Sequence, residues 1–230
     1  MFTMLALTIS QNNQIMLKGL CLAFLLITLY AHAQTGTNWV LKQNNDGVKI
    51  YTGDFENSKV KAIRVQVEVE ATLSQVVAML MDIKGSEEWL YHTSSNYIVK
   101  QVSPSDVYYY SRVNMPWPVS DRDFIAHLMV SQNPATKVVT IDAPCNVDMV
   151  PQKPGIVRIA NSKGKWILTP AGANRVKIDY TLHADPSGLI PAWLTNMFAT
   201  EGPSQSFKKF KVSLQKATYR NVNPDYIVNW

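Results

Sequence analysis

Disulfides are the first thing this chain lacks. Of its two cysteines, Cys21 lies in an apolar N-terminal stretch, which leaves Cys145 alone and excludes an intrachain bridge in the remainder. Cys145 reads as a small buried hydrophobe rather than a nucleophile. Metal-ligand spacing is missing too: among four histidines, His32 belongs to the N-terminal stretch and His92, His127 and His183 fall on separate segments. No nucleophile elbow, phosphate loop or dinucleotide fingerprint occurs, so neither metal nor cofactor is expected. No apolar run reaches the roughly 20 residues that a spanning helix needs. Ten glycines and twelve prolines are ordinary and exclude collagen-like and linker-rich architectures. The net charge of +5 is scattered, with no arginine-rich block and no aromatic stacking motif beside a basic run, which excludes a dedicated nucleic-acid binder. An anionic membrane surface remains a possible partner.

What is present describes a folded chain. Hydrophobic residues make up 47% and charged residues 17% of 230 positions, and the mean hydropathy is -0.07. Lys18 precedes an uncharged stretch from Gly19 to Ala31, rich in Leu, Ile, Phe and Ala, which closes on Ala31-His32-Ala33. This pattern reads as a secretory signal over residues 1–33, with Met16 the better translation start and Gln34 the first residue after cleavage. Export to the periplasm or the extracellular space is the expectation.

Beyond it the period is two. Trp39 to Lys42 and Val48 to Tyr51 flank Asp46-Gly47, a tight hairpin signal. From Val60, Ile63, Val65, Val67 and Val69 alternate with Arg64, Gln66, Glu68 and Glu70, a strand with one wet face. Thr72 and Gln75 form a capping box for an amphipathic helix that runs until Gly85. Short strands follow over Tyr97–Val102, Val107–Val113, Phe124–Val130 and Lys137–Ala143. Ile156–Ala160 and Lys165–Thr169 read as a hairpin across Asn161-Ser162-Lys163-Gly164. Val176 to Ala184 alternates again and puts His183 on the solvent face with Lys177, Asp179 and Thr181. A helical pattern runs through Trp193, Leu194, Met197 and Phe198, breaks near Gly202-Pro203 and resumes through Phe207, Phe210 and Leu214. Residues 38–219 therefore read as one α+β domain, with 220–230 as a tail. A long sheet with one apolar face must be covered, and only the terminal helix is long enough to cover it. A sheet curled around that helix can enclose more space than side chains fill.

An ordered set of motifs resembles the START lipid-transfer family: Trp39, Asp46-Gly47-Val48-Lys49-Ile50-Tyr51, Asp82 with Glu88-Trp89, and Pro116-Trp117-Pro118-Val119-Ser120-Asp121-Arg122-Asp123-Phe124. The set continues through Val157-Arg158, Gly164-Lys165-Trp166, Pro170, Asp185-Pro186-Ser187-Gly188 and Ile190-Pro191-Ala192-Trp193-Leu194-Thr195-Asn196. The resemblance implies a helix-grip fold of the START and Bet v 1 kind, in which a curved antiparallel sheet holds the long C-terminal helix across a hydrophobic tunnel. It also implies binding and transfer of a lipid or other apolar molecule, without catalysis, by a monomer. The sterol-carrying branch of that family places an arginine four residues after its Arg-Asp-aromatic motif, beside a carboxylate. Here these positions are Leu128 and Tyr109, so the expected polar anchor for a sterol is missing.

Candidate lining residues are the inward members of strands and helix: Tyr109, Ala126, Leu128, Trp166, Leu168, Trp193, Leu194, Met197 and Phe198. Arg112 is either a buried anion-binding group or an outward charge beside Tyr108 and Tyr110. Arg122 and Asp123, being adjacent on a strand, point to opposite faces and fit a structural role at the Pro116–Pro118 corner. Val150, with Pro144, Pro151 and Pro154, belongs to a loop placed to gate the hollow. Lys208, Lys209, Lys211 and Lys216 surround the apolar stripe of the last helix and suit either solvent or an anionic bilayer. An enzyme on the same scaffold, of cyclase or hydrolase type acting on a hydrophobic substrate, is the alternative; an interaction module with a vestigial cavity is the third reading.

Overall fold

Alternating β-branched residues build the sheet, and the structure, a computed structural model, describes residues 37–145, 149–188 and 190–230 of the chain. The secretory signal expected over 1–33 and residues 146–148 of the expected gate loop lie outside the described residues. The strands are β1 (Trp39–Asn45), β2 (Val48–Gly53), β3 (Ala62–Glu70), β4 (Thr93–Ser103), β5 (Asp106–Val113), β6 (Arg122–Gln132), β7 (Val139–Pro144), β8 (Val157–Arg158), β9 (Asn161–Pro170) and β10 (Arg175–Asp185). They form one curved sheet in the order β1-β2-β3-β10-β9-β7-β6-β5-β4, antiparallel along that path, with short β8 pairing parallel to the start of β6. Asp46 and Gly47 turn the first hairpin at φ 51° and 77°, the left-handed pair such a turn requires.

One expected hairpin does not form. Asn161 to Gly164 is extended and lies within β9, where it pairs with Asp185 to Leu182 of β10. The turn-like composition loses to a continuous ladder. β4 is a free edge, and its register shifts three times against β5, between Thr93 and Ser95, Ile98 and Lys100, and Gln101 and Ser103. Tyr97, Ile98 and Val102 are exposed along it.

Helix α1 (Leu73–Met81) starts as expected, with the Thr72 hydroxyl accepting from the Gln75 amide at 3.1 Å. The capping box is only half made. The Gln75 side chain instead donates to the Leu214 carbonyl at 2.6 Å, because an unpaired carbonyl at the end of a buried helix is the stronger demand. A 3-10 turn at Gly85–Glu88 follows, and Asp82 between them accepts from the Gly85 amide (2.9 Å) and from the Tyr219 hydroxyl (2.8 Å).

The terminal helix is broken, as its sequence suggests. α2 (Ala192–Asn196) passes through a π-helical turn (Met197–Glu201) into α3 (Gly202–Leu214) and, after a kink, α4 (Ala217–Arg220). Pro203 sits in the first turn of α3, where its missing N–H costs nothing. Phe207, Phe210 and Leu214, at helical spacing, are buried against the sheet. Trp89 meets Phe210 edge-on with centroids 5.1 Å apart. The tail is tied down: the Gln132 side chain bonds both backbone groups of Val228 (2.8 Å each), and Asn229 accepts from the Ser74 amide (2.9 Å).

Candidate functional site

Register assigns the inner face of the sheet. Phe207 packs on Trp166 and Tyr180, with centroids 5.7 and 6.1 Å apart, so the row Val176, Ile178, Tyr180, Leu182, Ala184 faces the helix. Cross-strand partners carry the same face to Leu168 and Trp166 on β9, to Val139, Ile141 and Ala143 on β7, to Leu128, Ala126 and Phe124 on β6, and to Val107 and Tyr109 on β5.

Packing along this face changes from one end to the other. Val139, Ile141, Leu168, Val176 and Ile178 expose no more than 1% of their surface. Farther along the same strands Ala143, Cys145, Tyr180, Leu182 and Ala184 are only partly buried, and so are Tyr109 and Phe124 across the sheet. One end of the grip is solid and the other is not.

Tyr109 and Tyr180 show what the open end contains. Desolvation pushes both phenols far above the ordinary tyrosine range, so protein encloses them. Yet each keeps accessible surface, and neither hydroxyl is among the buried side-chain polar atoms that lack a partner. Accessible surface on desolvated side chains marks a wall that packing leaves incompletely covered. The Trp166 ring, stacked on Tyr180 at 4.1 Å, adds to that wall. Among the described residues the sheet's inner face carries no histidine and no carboxylate. Nor do three His, Cys, Asp or Glu side chains gather as a metal site among the described residues.

The charge on this face is Arg122, buried at the end of β6. Its guanidinium donates to the carbonyls of Ser120, Pro186 (3.4 Å) and Ser187 (3.3 Å), and burial holds it below the ordinary arginine value. Arg122 thereby ties the loop at 114–121 to the turn that leads into α2. Asp123 points the other way, as adjacency requires, into a buried pair with Arg158 (2.6 and 3.1 Å).

Several expected site residues sit where the sequence places them. Ala126, Leu128, Trp166 and Leu168 are buried on the inner face, Tyr109 is partly buried on the same face, Leu194 is fully buried, and Met197 and Phe198 are half-buried. Phe198 meets Tyr91 edge-on at 5.9 Å. Others are corrected. Trp193 is 51% exposed, whereas its neighbour Leu194 is fully buried. Arg112 lies on the outer face and donates to Asp121, so it is no lining group. Val150 has its carbonyl tied to Arg158 (3.0 Å), beside the outer-face residue Asp123 rather than at the inner wall. His183 is not on a wet face. It is 4% exposed, stacked under Phe55 at 3.8 Å and bonded to the Ser58 hydroxyl at 3.0 Å, because the β2–β3 loop folds over it. Tyr180, Leu182, Phe124 and Ala143 are further partly buried members of the inner face. The alternation of β10 already put Tyr180 and Leu182 on the apolar face, and that signal could have found them.

A family model described as START domain matches residues 28–220. An uncharacterized protein of Pseudomonas aeruginosa is 30% identical over 179 residues, 78% of this chain and 88% of that protein. The bovine phosphatidylcholine transfer protein is 26% identical, over 74% of this chain and 81% of its own length. Among solved structures, a STAR-related lipid transfer protein fragment from Xanthomonas axonopodis superposes with a TM-score of 0.70 at 30% identity, covering 77% of this chain and 99% of that one. Human StAR-related lipid transfer protein 5 shares the fold, with a TM-score of 0.68 at 17% identity over 88% of this chain and 98% of its own.

Proposed function

We propose that this chain, which belongs to the START domain family, holds one lipid or other apolar molecule in the open half of its grip and carries it between membranes without catalysis. The observation that carries the reading is the passage from a sealed to a partly uncovered inner face, with Tyr109 and Tyr180 desolvated yet accessible. Such a space needs little chemistry to bind: each methylene removed from water contributes about 0.8 kcal/mol, so ten contribute roughly 8 kcal/mol before ordering costs. Relatives named for lipid and phosphatidylcholine transfer support a cargo of that class.

Membrane contact would use two aromatic side chains held in water, Trp117 at 91% exposure and Trp193 at 51%, on segments that Arg122 joins. Lys208 and Lys209 are exposed on α3 and would add attraction to anionic head groups. Lys211 and Lys216 contribute less, being engaged by the Asp46 carbonyl and by Glu88. Cleavage after Ala33 would deliver the carrier outside the cytoplasm.

Native mass spectrometry of protein purified from its own cells tests the reading. The expected spectrum is a chain beginning at Gln34 with one noncovalent lipid-sized adduct. A bare chain under gentle conditions, together with failure to extract lipid from vesicles, would overturn it.

A further inference from the structure

His183 takes no part in the inner face. It belongs to the other side of β10, between Leu182 and Ala184 of the partly uncovered row, and the loop at 54–61 between β2 and β3 closes over it. The Phe55 ring lies flat on the imidazole at 3.8 Å, 7° from parallel. The Ser58 hydroxyl meets Nε2 at 3.0 Å and also accepts from the Val60 amide at 3.0 Å. Asn57 turns the loop at φ 59°, and the Ser58 amide donates to the Phe55 carbonyl at 3.1 Å. Phe55 and Ser58 thus fasten to one ring.

That ring suits the closed loop only while it is neutral. Nδ1 is buried and has no hydrogen-bond partner among the described residues. A neutral imidazole tolerates this when Nδ1 is its bare acceptor nitrogen. The cation carries N–H on both nitrogens, so an Nδ1–H would be stranded and the charge kept from water. Burial weighs most against the charged form and Lys163, the cross-strand partner on β9, adds to it; Asp185 and the Val60 backbone oppose them. Other charges nearby are engaged. Arg64 of β3, on the same face, bonds Asp179 at 2.8 Å, and Asp54 and Lys61 pair with each other at 2.7 Å. Glu56 and Lys59 of the loop are exposed.

We infer that His183 and the Phe55–Ser58 segment form an acid-sensitive latch, shut while the imidazole is neutral and released when it takes up a proton. Release lets water reach the cation and uncovers the outer side of β10 behind the partly uncovered half of the grip. This is two residues before Asp185, whose carboxylate accepts from the Ser187 amide (2.9 Å) in the turn to α2. The latch acts on the sheet itself and does not depend on what the grip carries.

Amide hydrogen exchange, followed by NMR at pH 7.5 and pH 5 and divided by the rate of the same amide in an unstructured peptide, tests the latch. Each pH unit below about 6.5 favours the protonated, open loop by up to about tenfold until the lower folded value is reached. Protection at Ser58 and Val60 is therefore expected to fall about tenfold at pH 5, while Ile178, in the sealed half of β10, keeps its protection. His183→Phe and His183→Gln, each checked for folding by thermal unfolding, cannot take up the proton and should hold the loop equally well at both pH values. Unchanged protection of Ser58 and Val60 in the parent overturns the latch. So does an equal fall at Ile178, which would mark unfolding of the whole domain, or a tenfold fall in either folded variant.

Discussion

Replacing Asp123 by asparagine removes one charge from a pair that water barely reaches. The Arg158 and Asp123 side chains are 4% and 1% exposed, and the guanidinium also donates to the carbonyls of Val150 (3.0 Å) and Pro151 (3.3 Å). Asp123 is the chief reason the Arg158 guanidinium lies above its ordinary value. Asp123→Asn therefore takes the opposite charge from a buried cation, which costs roughly 3–5 kcal/mol. For a domain of this size each kcal/mol lowers Tm by about 2–4 °C, so a drop of about 10 °C is expected in calorimetry. The double variant Asp123→Leu with Arg158→Met should regain about half of that loss, because no buried charge is left without its opposite, while the carbonyls of Val150 and Pro151 lose their donor. A single variant costing less than about 1 kcal/mol, or a double variant as unstable as the single one, would refute the argument that this pair matters through its burial.

Two further outcomes follow from local packing. His183 is depressed by its burial, Lys163 adding to the depression and Asp185 opposing it. The folded chain thus binds this proton less readily than the unfolded one, so its contribution is complete above about pH 6.5 and is lost as the pH falls toward the lower folded value. His183→Phe keeps the stack on Phe55 and should flatten Tm between pH 7.5 and 5; a slope equal to the parent's would count against this. At Gly85, an added Cβ would lie 2.3 Å from Asp82 Oδ2 and 2.7 Å from Tyr219 Oη. Gly85→Ala must break the bond between those two side chains and should cost about 1.5–3 kcal/mol in urea unfolding, and a cost below about 0.5 kcal/mol would show that the contact relaxes freely.

Period-two alternation made β3 and β10 legible, and helical spacing made Phe207, Phe210 and Leu214 legible as the covering stripe. Alternation tells which face a residue joins and says nothing of what covers that face. His183 was misplaced for that reason, since the Phe55–Ser58 loop turns a nominally wet position into a buried one. Asn161 to Gly164 looked like a turn because local preference is weak against a ladder of ten pairs with β10. Trp193 and Leu194 are adjacent in an apolar helix pattern, and only the direction of the short α2 decides that Leu194 goes in and Trp193 out. The difference between the sealed row at Val176 and Ile178 and the open row at Leu182 and Ala184 depends on how side chains from several strands pack together. No single strand's sequence holds that information.

The wandering pairing of β4 bears on how the molecule behaves in company. A straight outermost strand bearing Tyr97, Ile98 and Val102 would offer a neighbour a ready template for extending the ladder from one molecule into the next. Each of the three slips puts the backbone donors and acceptors out of step, so a second chain cannot engage more than a few of them in succession. The exposed Tyr97, Ile98 and Val102 thus sit on an edge that offers a second copy no long run of ladder bonds in register.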